Sequence, residues 1–167
     1  MPGKVIAVDD TNFIFATNFA GNPNNDRFGD SRRKANLLIP NPEQARELAE
    51  AGFNVRQTRP RDDDDPAEFT PKSFVQVLLT YRMRNGESVK YPPKVYLVVD
   101  DREPVLLDEE SVACIDQIRV KNVNVILNPH EHDKGVNLYI RTMYVEQDLD
   151  DDPYAARYRN RQKRDEP

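Results

Sequence analysis

The chain has one cysteine, Cys114, among 167 residues. That excludes an internal disulfide and suits a reducing cytoplasm. With only two histidines, a zinc site or a Cys-His nucleophile has little to draw on. No phosphate-cradling glycine-rich loop precedes a helix, and no nucleophile elbow occurs. No apolar run approaches a membrane span, and residues 1–10 lack the long apolar core of a signal peptide. These gaps point away from an enzyme, a cofactor or a membrane partner, and toward a soluble protein of the cytoplasm. Positive charge is short as well. The 24 Lys and Arg are outnumbered by 29 Asp and Glu, for a net charge of -5 and a pI near 5.1. No global basic field draws the chain to a polyanion, so any such binding must come from a local patch.

What is present reads as one domain with a tail, residues 1–147 and 148–167, large enough to bury a core. The charged fraction of 32% against a hydrophobic fraction of 38% is explained by long charged loops rather than a missing core. Short runs rich in Val, Ile, Leu, Phe or Tyr, bounded by Pro, Gly, Asn or Asp, predict strands at 4–8, 12–18, 34–39, 74–84 and 94–99. One helix is clear. Asn41 supplies its N-cap, Pro42 its first position, Gln44 a capping-box partner and Gly52 its stop. Ala45, Leu48 and Ala49 form its apolar stripe, and Phe53 continues into the core. A second, shorter helix is expected after Asp108, with Glu109 and Glu110 in its first turn. Residues 21–31, 62–66 and everything after 148 read as loops. Many short strands with two isolated helices mean a mainly β domain, a small barrel or a sandwich.

The most regular pattern closes the domain. Val123, Val125 and Leu127 alternate with polar neighbours, residues 128–135 form a turn, and 136–145 return. Strict alternation places Val136, Leu138, Ile140, Thr142 and Tyr144 on one face and Asn137, Tyr139, Arg141 and Met143 on the other. An outward face carrying Tyr139 beside Arg141 can stack bases and neutralise phosphates, and it also fits an ordinary solvated sheet face.

Cations and aromatics interleave elsewhere too. Arg27-Phe28 leads to Arg32-Arg33-Lys34 at a strand entrance. Arg56, Arg59 and Arg61 follow Val55 with no acid between them. Tyr81-Arg82-Met83-Arg84 ends one strand, and Lys90-Tyr91-Pro92-Pro93-Lys94-Val95-Tyr96 begins the next. In an acidic protein, four such clusters beside strands suggest charge segregation into a nucleic-acid groove. The bland alternative is burial of Tyr81 and Tyr96 in the core, with arginines that only solubilise strand edges. His130 and His132 are weak metal candidates, since an extended segment would project both to one side, but no further ligands accompany them. The aspartates Asp62, Asp63, Asp64 and Asp65 read as a solvated loop, without the alternating spacing of an EF-hand.

On several of these segments the chain resembles a group of tailed-phage single-stranded DNA-binding proteins. The resembling residues are Thr17-Asn18-Phe19-Ala20-Gly21-Asn22-Pro23, Asp26-Arg27-Phe28-Gly29 and Arg33-Lys34-Ala35-Asn36-Leu37-Leu38-Ile39-Pro40. They continue in Ala51-Gly52-Phe53-Asn54-Val55, Tyr91-Pro92-Pro93-Lys94-Val95-Tyr96-Leu97, Leu107-Asp108-Glu109-Glu110-Ser111-Val112 and Tyr139-Ile140-Arg141-Thr142-Met143-Tyr144-Val145. The likeness covers most of residues 12–158. It implies an oligonucleotide/oligosaccharide-binding (OB) barrel whose strand face and flanking loops hold the strand. The implied function is to coat and protect single-stranded DNA, without strong sequence preference, during phage replication or recombination in the host cytoplasm. Replication or recombination proteins of the phage are the implied further partners, and a homo-oligomer is compatible. No catalytic residue, cofactor or metal is called for. The competing reading is a phage structural or protein-interaction β module using the same sheet face. The tail departs from the familiar pattern of an acidic end tipped by an apolar residue. Here Asp148-Leu149-Asp150-Asp151-Asp152 is internal and a basic arm, 153–164, follows it. Asp152 and Pro153 suggest that this arm begins as a capped helix.

Overall fold

The computed structural model describes residues 4–25, 29 and 31–149, and its contacts and depressions are those among these residues. The basic arm and its expected helix cap lie outside them, as do Arg27 and Phe28. Nine strands build one mixed sheet: β1 (Ile6–Thr11), β2 (Phe13–Asn18), β3 (Arg33–Leu38), β4 (Arg56–Gln57), β5 (Ser73–Leu79), β6 (Lys94–Val98), β7 (Val105–Leu107), β8 (Val120–His132) and β9 (Gly135–Gln147). The hydrogen-bonded order is β1-β8-β9-β5-β3-β2, with β4 joined to β5, and with β6 joined to both β9 and β7. This path is open, yet its two end strands are consecutive in the chain and meet at Asn12. Asn12 ties the ends together: its carbonyl accepts from Leu38 N at 3.0 Å, and its Nδ2 donates to the Val120 carbonyl at 2.9 Å. The sheet therefore rolls into a small, partly open barrel of the OB type.

One core fills the roll. Val8, Phe19, Leu37, Val77, Val95, Val123, Leu127, Met143 and Val145 are essentially inaccessible. The helix α1 (Pro42–Glu50) adds Ala45 and Leu48 to the same cluster. Asn41 caps it as expected, its Oδ1 accepting from Glu43 N and Gln44 N. Two details of the helix differ from expectation. Gln44 does not complete a capping box; its amide donates to the Ala7 carbonyl at 2.8 Å and clamps the helix to β1. Ala49 is exposed, because β5 meets only the narrower Ala45–Leu48 side of the helix. The second helix forms as a 3-10 turn, Ser111–Gln117, with Val112 and Ile115 buried. Asp108 precedes it, its carboxylate accepting from Glu110 N and Ser111 N, so Glu109 and Glu110 lie ahead of the turn rather than in it. No described helix is long and apolar enough to cross a membrane.

Strand bounds shift in physically informative ways. β5 stops at Leu79, and residues 81–89 fold back on themselves through the Arg82↔Ser88 bridge and Val89 N to Tyr81 O at 3.0 Å. The last hairpin is longer than expected. Its turn is only Asp133-Lys134, and residues 128–132 continue β8.

Candidate nucleic-acid interface

β9 carries the centre of the site, and a bulge determines what it presents. Ile126 pairs with Thr142 while the next β8 residue, Leu127, pairs with Ile140. Arg141 is thus an extra residue on β9, and the pleat resets after it. Leu138 and Ile140 are buried before the bulge, Met143 and Val145 after it. Tyr144, expected in the core, therefore faces outward with 39% exposure, and Met143, expected outside, is buried. The outer face of β9 reads Asn137, Tyr139, Thr142, Tyr144, with exposed Arg141 at the bend. Tyr96 on β6 pairs with Tyr144, and their rings stack at 4.7 Å and 11°.

A groove of about 1120 Å³ opens between this strand and the loop joining β5 to β6. Five cations line it, Arg82, Arg84, Lys90, Lys94 and Arg141, and no carboxylate among the described residues does. Tyr91 and Tyr139 supply its rings, Met83 and Pro129 further apolar surface. Tyr91 is 82% exposed, with the Lys90 ammonium 5.5 Å from its ring centre. Tyr139 is half-buried, and His130 meets it edge-on at 6.1 Å.

A second depression of about 220 Å³ continues the groove past Arg82 and Tyr139 to Arg32 and Arg33. Glu109 is its one carboxylate and is bound to Arg82, whose Nε lies 3.1 Å from both of its oxygens. This hydrogen bonding holds the Glu109 carboxyl below, and the Arg82 guanidinium above, their ordinary ranges. Arg33 is engaged within the domain: it donates to the Phe19 carbonyl at 2.7 Å and lies 5.5 Å over the Tyr81 ring. Tyr81 itself is buried, and its hydroxyl has no partner. Burial pushes that hydroxyl up to about 12. It therefore offers no ring face to a base, contrary to the sequence expectation, because the 81–89 fold-back turns it inward.

The structure thus gathers Arg82, Arg84, Lys90, Tyr91, Lys94, Tyr139 and Arg141 into one groove, with Arg32 and Arg33 at its continuation. Lys34 pairs with Leu78, which pairs in turn with Tyr139, so it belongs to the same face. Tyr96 stands just beyond Lys94. Arg56 lines a separate depression of about 80 Å³, and Arg59 lines none of the three. Sequence reasoning missed Tyr144, Met83 and the ring of His130. The adjacent polar pair Arg141-Thr142, which interrupts the alternation, was the signal for the bulge. His132 has both ring nitrogens engaged, Nδ1 accepting from Lys134 N and Nε2 facing Asn137 Oδ1 at 3.2 Å. No group of three or more His, Cys, Asp or Glu that could hold a metal occurs among the described residues.

A rolled sheet with a cationic, ring-bearing groove on its outer face defines a binder of flexible polyanions. The family model described as "Putative phage ssDNA-binding domain" matches residues 2–165, and the chain belongs to that family of single-stranded DNA-binding domains. Among solved structures, the chain is similar to a C-terminally truncated single-stranded DNA-binding protein from bacteriophage Enc34. That match has 15% identity and a TM-score of 0.48, over 86% of each chain. It is also similar to gp2.5, a single-stranded DNA-binding protein encoded by bacteriophage T7. There the identity is 14% and the TM-score 0.43, over 91% of this chain and 98% of that one. At these levels no residue role transfers from either. No curated protein matches the sequence.

Proposed function

We propose that the protein coats single-stranded DNA during phage replication or recombination, in the host cytoplasm, by laying the strand in the groove between β9 and the β5–β6 loop. The observation that carries this is the convergence of five cations with Tyr91 and Tyr139 and without a described carboxylate, in a chain of net charge -5. Cations take phosphates, and rings take base faces with little regard to sequence. A duplex reader would present a basic helix to the major groove. The one α-helix among the described residues carries Glu43, Glu47 and Glu50 against a single Arg46, and buries its apolar side. The binding unit is residues 1–147 and the charged tail follows it. Among the described residues, Asp148 joins the two, its N–H donating to the Arg119 carbonyl at 2.7 Å. The role needs no reaction and no cofactor.

Titrating labelled dT and dA oligonucleotides and a matching duplex at two salt concentrations tests this. Single strands should bind tighter, and log affinity should fall against log salt by about 0.7 per phosphate neutralised. Equal or tighter duplex binding, or affinity indifferent to salt, would remove the reading.

A further inference from the structure

β5 has an interrupted edge. On one side it is paired with β3 throughout, from Phe74 to Leu79. On the other it meets β4 at Ser73 and Phe74, and then β9 at Leu78. Between those two contacts the strands splay, and the outward-facing Gln76 sits at a depression of about 80 Å³. Four amides and one cation surround it: Asn36, Asn54, Gln76, Asn137 and Arg56. Asn137 is committed, its Oδ1 to His132 and its Nδ2 to the Tyr139 hydroxyl at 3.5 Å. The side-chain amides of Asn36, Asn54 and Gln76 have no hydrogen-bond partner among the described residues. Asn36 is half-buried, and the other two are exposed.

The dimple lies between two rings on one face. Leu78 lines both it and the arginine depression, and pairs with Tyr139. Two residues from Gln76 in the other direction along β5, Phe74 pairs with Arg56 and is met edge-on by Phe15 at 5.5 Å. Phe15 is 60% exposed and holds φ at 63°, a backbone region that disfavours a bulky side chain. Such strain persists only where the surrounding structure enforces it.

We propose that this dimple is a base-reading subsite, continuous with the groove and resting on the single-strand-binding reading above. It takes the edge of one unstacked nucleobase, with a purine such as adenine preferred. Tyr139 and Phe15 bracket the strand, and Arg56 meets its phosphate. A depression this small admits an edge, not a whole base. A side-chain amide carries a donor and an acceptor in one plane, which matches the paired donor and acceptor of adenine. Adenine displays that pair on two edges, at N6 with N7 and at N6 with N1. Pyrimidines display one such edge, whereas guanine also displays it on two, at N1 with O6 and at N2 with N3, so a purine has more ways to seat. The result is a mild preference layered on a sequence-tolerant groove.

The test compares a dT oligonucleotide with the same strand carrying one central dA, on the full chain and on the Asn36→Ala, Gln76→Met double variant. The parent should favour the dA-bearing strand by about fivefold. The double variant should bind both strands alike, losing more affinity for the dA-bearing strand than for all-dT. No preference in the parent overturns the subsite, as does a preference that survives in the variant or an equal loss on both strands. Failure of the parent to bind all-dT at any salt would instead sink the single-strand reading itself.

Discussion

Tyr81 and Tyr139 line the same depression beside Arg82, yet their chemistry differs. Tyr81 is 9% exposed, with a hydroxyl that meets no partner. Leaving a buried polar group unpaired is costly, so Tyr81→Phe should leave stability unchanged or raise it, with DNA affinity unaltered. Its titration adds a second signature. Burial raises the hydroxyl from the ordinary 10 to about 12 in the folded state, so below pH 10 its contribution to stability is complete. As pH climbs from 10 toward 12 the unfolded chain sheds that proton first, and stability falls. Melts across this alkaline range should therefore show a steeper loss for the parent than for Tyr81→Phe. Tyr139 is the counterpart. Tyr139→Ala should cost about 1–3 kcal/mol of binding, by loss of base stacking. A binding defect in Tyr81→Phe, or parental affinity in Tyr139→Ala, would reverse these roles.

Among the elements, the bulge in β9 turns Tyr144 outward to stack on Tyr96 on the face that also carries Tyr139. Deleting Arg141 removes the extra residue and leaves Ile140 inward and Thr142 outward, so the ladder becomes regular without turning any buried side chain out. The deletion should fold. It shortens the strand by one step, roughly 3.4 Å, between Tyr139 and the Tyr144–Tyr96 stack. Oligonucleotide affinity should drop further than in Arg141→Ala, which loses the charge but keeps the bulge. Equal affinities for the two would show that the charge alone matters. Legibility in the sequence followed locality. The helix could be read from Asn41-Pro42 because a cap is a contact between near neighbours. The final hairpin could be read from its period of two, but not its turn. Asn128-Pro129 resembles a turn, yet Pro129 is tolerated in β8 because β1 pairs no further than Leu127, leaving the missing N–H on an open edge. β4 and β7, of two and three residues, are too short to carry a period. The groove's cations were visible because two clusters, 81–84 and 90–96, flank one loop. Whether a tyrosine in that loop points in, like Tyr81, or out, like Tyr91, depends on the fold-back and leaves no local mark.

For the molecule as a whole, charge is the governing quantity. A net charge of -5 repels DNA at long range, so the proposed binding relies on a groove that no described carboxylate lines. Glu109 is the exception where the groove continues, and it holds Arg82 through both carboxylate oxygens. The pair is exposed, with side-chain exposures of 53% for Arg82 and 34% for Glu109, so water screens it and it opens readily. A phosphate arriving at Arg82 must displace Glu109 or lie beside it, and both oppose binding. Glu109→Gln keeps the shape and an acceptor for Arg82 while removing the negative charge. Affinity for dT oligonucleotides should rise several-fold at low salt, and the salt slope should steepen by about 0.7 as Arg82 takes up a full phosphate contact. Glu110→Gln makes the same change of net charge one residue away, outside both depressions, and separates the local effect from the global one. If the two variants tighten binding equally, only net charge is at work. If Glu109→Gln weakens binding, the carboxylate positions Arg82 for DNA rather than competing with it.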